Sequence, residues 1–223
     1  MFIGHFAVGL AAKKVSPRTS LATLFVAAQF LDILWPPLIL TGIERVAIEP
    51  GNTAVTPLNF IHYPYSHSLV TVLAWSFGFG LLYYYFARNR RGAFITGLLV
   101  ASHWLLDFIT HQPDLPLAPG VERYFGLGLW NSVALTAVVE LGMFLLAVWI
   151  YSNYTRSDSN SGRISFWSLV VVLLAIQAAS YTGSPPPSVE MVGWVGLAAA
   201  VLFIPWAMWI EKTRRVPGMR PRG

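Results

Sequence analysis

Long apolar runs, each closed by a short polar or basic stretch, dominate this chain. Residues 20–40, 68–87, 92–110 and 130–151 are each long enough to cross a bilayer as a helix, which takes about 20 mainly apolar residues. Residues 166–182 and 192–210 form a further apolar pair around Ser184-Pro185-Pro186-Pro187. Residues 2–12 are equally apolar, but as a helix they would reach only about 16 Å, half a bilayer. A re-entrant or interfacial segment is expected there. Residues 41–66 are the longest polar connection, and Pro113 opens a Pro/Gly-rich loop that runs to about residue 128. No internal repeat is visible. The pattern predicts one all-α domain, a polytopic membrane bundle with about five full transmembrane helices and a short N-terminal helix. Its unusual polar residues fall within 1–140, and 166–210 form a C-terminal helical pair.

Composition agrees. The 223 residues are 55% hydrophobic and 11% charged, where a soluble domain carries about 25% charged residues. The net charge of +5 would suggest nucleic acid in a soluble protein. Here the basic clusters at 13–18, 88–91, 156–163 and 212–222 fall at alternate connections, which the positive-inside rule places in the cytoplasm. The loops 41–66, 111–129 and 183–191 then face outward. The expected partner is the lipid bilayer, and nucleic acid is not expected. Cysteine is absent, which excludes disulfides and thiolate metal ligands. No basic region precedes the first apolar stretch and no clear cleavage signal follows it, so Met1 and His5 are expected in the mature protein.

The candidate chemistry lies in residues that break the apolar pattern. All five histidines occur in the first half of the chain. Ionisable groups in bilayer-length segments are costly and point to function. Imidazoles beside carboxylates suit a divalent metal. His103 and Asp107, four residues apart, share one face of a predicted helix, and His111 extends that face. The alternative for this pair is a hydrogen bond tying helices together. His62 and His67 flank Pro64 at the expected outer mouth. His62 is expected on a turn and His67 near a helix start, with Ser66 or Ser68 as the cap. Alone, these two could be incidental members of an interfacial aromatic belt with Tyr63 and Tyr65. Asp32 lies in a run without Lys or Arg, which favours a cation as its partner. Glu140 lies deeper, as a ligand or as a support for one. His5 meets the others only if its short segment begins mid-bilayer. Gly78 and Gly80 are expected at helix contacts. With no nucleophile elbow or phosphate-binding glycine loop in the chain, metal-activated water is the economical chemistry. Asp32 or Asp114 would serve as general base.

Taken in order, Gly4-His5, Phe30-Leu31-Asp32, His62-x4-His67-Ser68 and Ser102-His103-x3-Asp107-x2-Thr110 resemble the YdjM-like inner-membrane proteins. That family is described as metal-dependent hydrolases related to the zinc-dependent phospholipase C and single-strand nuclease superfamily. The resemblance spans about residues 1–114. It implies metal ligation by His5, Asp32, His62, His67, His103 and Asp107, and suggests phosphoester hydrolysis. Two departures stand out. Leu31-Asp32-Ile33-Leu34 replaces a Pro-Asp-x-Asp pattern, so one carboxylate is missing. Tyr63-Pro64 follows His62 where the family often has Arg-Gly, so an arginine suited to clamping phosphate is missing.

The expected function is therefore metal-dependent hydrolysis, with zinc as the cofactor, of an ester or phosphoester on a lipid-linked substrate near the non-cytoplasmic face. Two alternatives are a divalent-cation or proton transporter or channel, and a non-catalytic membrane assembly protein. A transporter would need polar groups continuing inward, and the chain offers Glu140 and Gln177 for this.

Overall fold

The computed structural model describes residues 1–218. Its helices are α1 (Phe2–Val15), α2 (Leu21–Ala28), α3 (Phe30–Leu40), α4 (Pro64–His67), α5 (Leu69–Ala87), α6 (Arg90–Thr110), α7 (Val133–Tyr154), α8 (Asn160–Thr182) and α9 (Val189–Thr213). Two small antiparallel pairs, β1 (Arg45–Ile48) with β2 (Leu58–His62) and β3 (Leu115–Pro116) with β4 (Tyr124–Phe125), interrupt the helical pattern. Five helices, α5 to α9, are long and apolar enough to cross a membrane. The fold is an all-α polytopic membrane bundle.

Helix starts follow local chemistry. Ser20, Ser68, Asn89, Ser132, Ser159 and Ser188 each precede a helix, and each side chain accepts a backbone N–H from the first turn. The α5–α6 hairpin closes tightly because its facing surfaces are small. A Cβ built on Gly80 would lie 3.0 Å from the Ala93 carbonyl oxygen, and one on Gly97 would lie 3.0 Å from that of Ser76. Ser76 Oγ also donates to the Gly97 carbonyl at 2.7 Å. Gly78 faces open space instead, so only one of the two expected packing glycines is at a contact.

Three expectations change. Of the two expectations for the short N-terminal segment, the interfacial one does not fit, because α1 is enclosed by α2, α6, α7 and α8. Its Ile3, Phe6 and Leu10 join Phe25, Phe144, Tyr151, Phe166, Leu173 and Phe203 in the largest apolar core. The run 20–40 is not one straight span. It breaks at Gln29, and α2 and α3 are bent 55° from each other. The polar connection 41–66 carries a hairpin, registered Val46↔Phe60 and Ile48↔Leu58 with a bulge beside Arg45. Val46, Tyr63 and Leu115 pack on Trp35 and Ile39, closing that end of the bundle.

The basic clusters gather at the opposite end. Lys13 Nζ donates to Glu211 at 2.7 Å. Thr19 meets the Tyr83 hydroxyl at 3.0 Å. Arg156 and Arg215 are joined by an antiparallel bridge. Arg220 and Arg222 lie outside the described residues.

Candidate metal centre

The break at Gln29 organises the centre. It interrupts the helical hydrogen-bond ladder and leaves the Ala28 carbonyl available, and His103 Nδ1 bonds to it at 2.8 Å. A carbonyl only accepts, so Nδ1 carries a proton, and in the neutral ring Nε2 keeps its lone pair. That Nε2 is fully buried and makes no hydrogen bond. It faces two carboxylate oxygens, Asp107 Oδ2 at 3.2 Å and Asp32 Oδ1 at 3.7 Å. In the neutral ring that lone pair confronts carboxylate oxygens, a contact that a cation between them, or a proton on Nε2, would relieve.

The second imidazole is oriented by a relay. Glu44, in the connection before β1, is buried and accepts the backbone N–H groups of Tyr65 and Ser66 on Oε1. Ser66 Oγ donates to Glu44 Oε2 at 2.6 Å and lies 2.7 Å from His67 Nδ1. The single hydroxyl proton goes to the carboxylate, so His67 Nδ1 must be the donor in the second bond. His67 Nε2 is left as an acceptor, 3.8 Å from both Asp32 Oδ1 and Asp107 Oδ2. Burial holds the His67 imidazole well below its usual pKa, which keeps it in the neutral form that ligates metal. Burial also raises the Glu44 carboxyl, against the opposing pull of its hydrogen bonds to Ser66 and Tyr65.

The third imidazole arrives on α1. His5 is buried, its Nε2 is 3.1 Å from Asp107 Oδ1, and its ring stacks on His103. The Met1 amino group donates to the same Asp107 oxygen at 2.6 Å. Glu140 Oε2, on α7, accepts the Ile3 backbone N–H at 3.1 Å, so it caps α1, in keeping with a carboxylate at a helix N-terminus.

Two groups of donors result, His5/His103/Asp107 and Asp32/His67/His103, and within each the donor atoms lie within 4.8 Å of one another. Two ligand atoms, each about 2.1 Å from one ion at angles between square and tetrahedral, stand roughly 3.0–3.4 Å apart. The separations of 3.1 and 3.2 Å between Asp107 and His5 or His103 fall in that range, those of 3.7–3.8 Å around Asp32 and His67 are wider, and a nitrogen–oxygen donor set without thiolate suits a divalent cation such as zinc. His103 belongs to both groups, so they suit two neighbouring ions or one ion with a wider shell.

The other sequence candidates lie elsewhere. His62 ends β2 with an exposed side chain, its ring 6.3 Å from that of Tyr65. Pro64, two residues on, starts α4, so His62 stays with the strand while His67 turns inward. His111 and Asp114 form their own group. Asp114 Oδ1 accepts from the Tyr63 hydroxyl at 2.7 Å and lies 2.9 Å from His111 Nδ1. The His111 ring packs between Phe60 and Trp130. Burial and the adjacent Asp114 carboxylate push the Tyr63 phenol well above its ordinary pKa, so it remains a donor. Tyr63 touches both groups, with its ring 5.3 Å from that of His67. Ser68, not Ser66, caps α5. Glu44 and the Ser66 relay carried no signal in the sequence, because 22 residues separate two polar side chains that share no motif.

Beside Asp32 lies an apolar groove of about 260 Å³ between α2–α3 and α9. Phe6, Phe25, Ile33, Pro36, Val195 and Phe203 line it, and Gln29 and Asp32 supply its polar side chains.

Residues 1–184 match the family model described as YdjM inner membrane protein. The chain belongs to that family and is an integral inner-membrane protein. The matched region contains every donor described above. No curated protein and no solved structure matches the chain.

Proposed function

We propose that this member of the YdjM inner membrane protein family is a metal-dependent hydrolase, using zinc, that cleaves an ester or phosphoester of a lipid-linked substrate from the non-cytoplasmic side. The observation that carries the reading is the buried His103 Nε2, without a hydrogen-bond partner, facing Asp107 and Asp32, with His5 and His67 turned toward the same carboxylates. Such an ion, when bound, supplies Lewis-acid polarisation and an acidified water.

The chain's own residues have separable tasks in this reading. His5, His67, His103, Asp32 and Asp107 hold the ion. Ser66 and Glu44 fix the tautomer of His67, and the Ala28 carbonyl fixes that of His103. Asp32 is 45% exposed while Asp107 is 3% exposed, so Asp32 is the carboxylate able to take a proton from water at the site's mouth. The groove beside Asp32 suits a lipid tail. The arginine that this sequence lacks after His62 is not replaced by another basic side chain in the donor groups.

A one-sided site is favoured over a transport path by the core around α1. Phe6, Leu10, Phe25, Tyr151 and Phe166 fill the space toward the basic end. Glu140 is committed to capping α1, and Gln177 donates to Tyr181 at 2.6 Å.

The test is turnover by purified full-length protein, stripped with chelator and reloaded separately with zinc, manganese or magnesium. Lipid phosphodiesters, lipid phosphomonoesters and acyl esters are offered in mixed micelles. One metal should restore cleavage of one class, and Asp107→Asn should lower it by about 10² or more. Absence of bound metal together with no turnover under any loading would end the reading.

A further inference from the structure

The opposite end of the bundle carries a second concave site. A cavity of about 1090 Å³ opens where the α1–α2 connection, the α7–α8 connection and the end of α9 meet. Six basic side chains line it, Lys13, Arg18, Arg156, Lys212, Arg214 and Arg215, against the two carboxylates Asp158 and Glu211. Both carboxylates are already engaged. Glu211 accepts from Lys13 and from the Leu21 backbone N–H, and Asp158 pairs with Arg215. Arg214 is bonded to neutral oxygens of Thr155 and Gly162 and lies 4.8 Å over the Phe166 ring. Arg18, Arg156 and Lys212 are exposed and have no side-chain hydrogen bond or ion pair among the described residues.

Basic loops alone would satisfy membrane topology. What topology does not require is the backbone bridge that sets Arg156 directly opposite Arg215, with N–H···O bonds of 2.8 and 2.9 Å in the two directions. Like charges opposite each other are unfavourable, and Asp158 offsets only the Arg215 side. An anion in the cavity would offset Arg156. Exposed Trp167 and Trp209 are near the same helix ends, and Trp209 Nε1 donates to Ser161 at 3.2 Å. Tryptophan at this level marks the headgroup region, and basic pockets between helices on the cytoplasmic side suit anionic headgroups.

We propose that this cavity binds a phosphate-bearing anion, with Arg18 and Arg156 as its principal contacts. The headgroup of an anionic phospholipid is the source that its depth favours. The site is independent of the metal centre, and its α9 residues lie beyond the region matched to the family.

Purified full-length protein in neutral detergent is titrated calorimetrically with dioctanoyl phosphatidylglycerol, dioctanoyl phosphatidylcholine or inorganic phosphate. The same titrations are run on R18Q/R156Q, whose melting temperature is checked first. Both side chains are exposed, so the variant should fold as the wild type does. Phosphatidylglycerol should bind the wild type and bind the variant roughly 25-fold more weakly, about fivefold for each cation removed. Inorganic phosphate binding as well as the lipid, with the same loss in the variant, supports the site and makes its source soluble. Equal binding of phosphatidylcholine, equal binding by the variant, or no binding of either anion overturns the proposal.

Discussion

The imidazole of His5 lies flat against that of His103, ring centres 3.5 Å apart and planes 9° from parallel. One ring comes from the first turn of a buried 14-residue helix and the other from the middle of a spanning helix. Stacking aligns the two rings while both remain close to Asp107. His5→Phe preserves the stack and removes a donor. Bound metal, measured by elemental analysis of purified protein, should fall by about tenfold or more, with little change in melting temperature. Unchanged metal content would place His5 outside the ligand shell.

The Glu44–Ser66–His67 relay gives a second test. Ser66→Ala removes the group that holds His67 Nδ1 and leaves buried Glu44 short of a donor. Metal affinity should weaken by about 10- to 100-fold, and Ser66→Thr should recover most of it. Competition against a fluorescent chelator measures both. If alanine and threonine bind metal equally, the relay does not set the tautomer.

His62 separates the resemblance from the geometry. The family pattern makes it a ligand, whereas the structure leaves it exposed at the end of β2. Metal content of His62→Ala should stay within about twofold of wild type, against the tenfold or greater loss expected for a ligand. A loss as large as that of His103→Ala would mean that the hairpin refolds around the ion.

The groove beside Asp32 predicts selectivity for chain length. Ala199 lines it on α9, and Ala199→Trp fills it. Cleavage of long-chain substrates should fall by about tenfold while short-chain analogues of the same headgroup are cleaved nearly as before. That difference corresponds to about 1.4 kcal/mol, the burial of roughly two methylenes. Equal loss on both would argue against a tail in the groove.

Packing of α5 on α6 gives a prediction free of any metal. Gly80 lies against the Ala93 carbonyl and Gly78 against open space. Gly80→Leu should destabilise by about 1–3 kcal/mol through overpacking, while Gly78→Leu should leave the melting temperature nearly unchanged. Detergent-phase thermal unfolding compares them directly.

The membrane architecture was readable in the linear pattern because a bilayer imposes length and apolarity on each span separately. Alternation of basic clusters likewise anticipated their meeting at one end, since each loop obeys the same local rule. His103 and Asp107 were readable as a pair because helical spacing alone puts them together. The bend at Gln29, the enclosure of α1 and the distance between His62 and His67 were not. Gln29 has no proline or glycine beside it, and nothing in residues 2–12 distinguishes a buried half-length helix from an interfacial one.

Spans and the inventory of side chains able to bind a metal thus follow from local rules that act on a few neighbouring residues. Which of those side chains share a pocket depends on how separate helices pack, on a broken ladder that turns the Ala28 carbonyl toward His103, and on a proline that parts His62 from His67. Those contacts join residues from 35 to 102 positions apart, as in Asp32–His67 and His5–Asp107. No periodicity along the chain encodes a meeting at that range, because it arises from side-chain packing between helices rather than from any one of them.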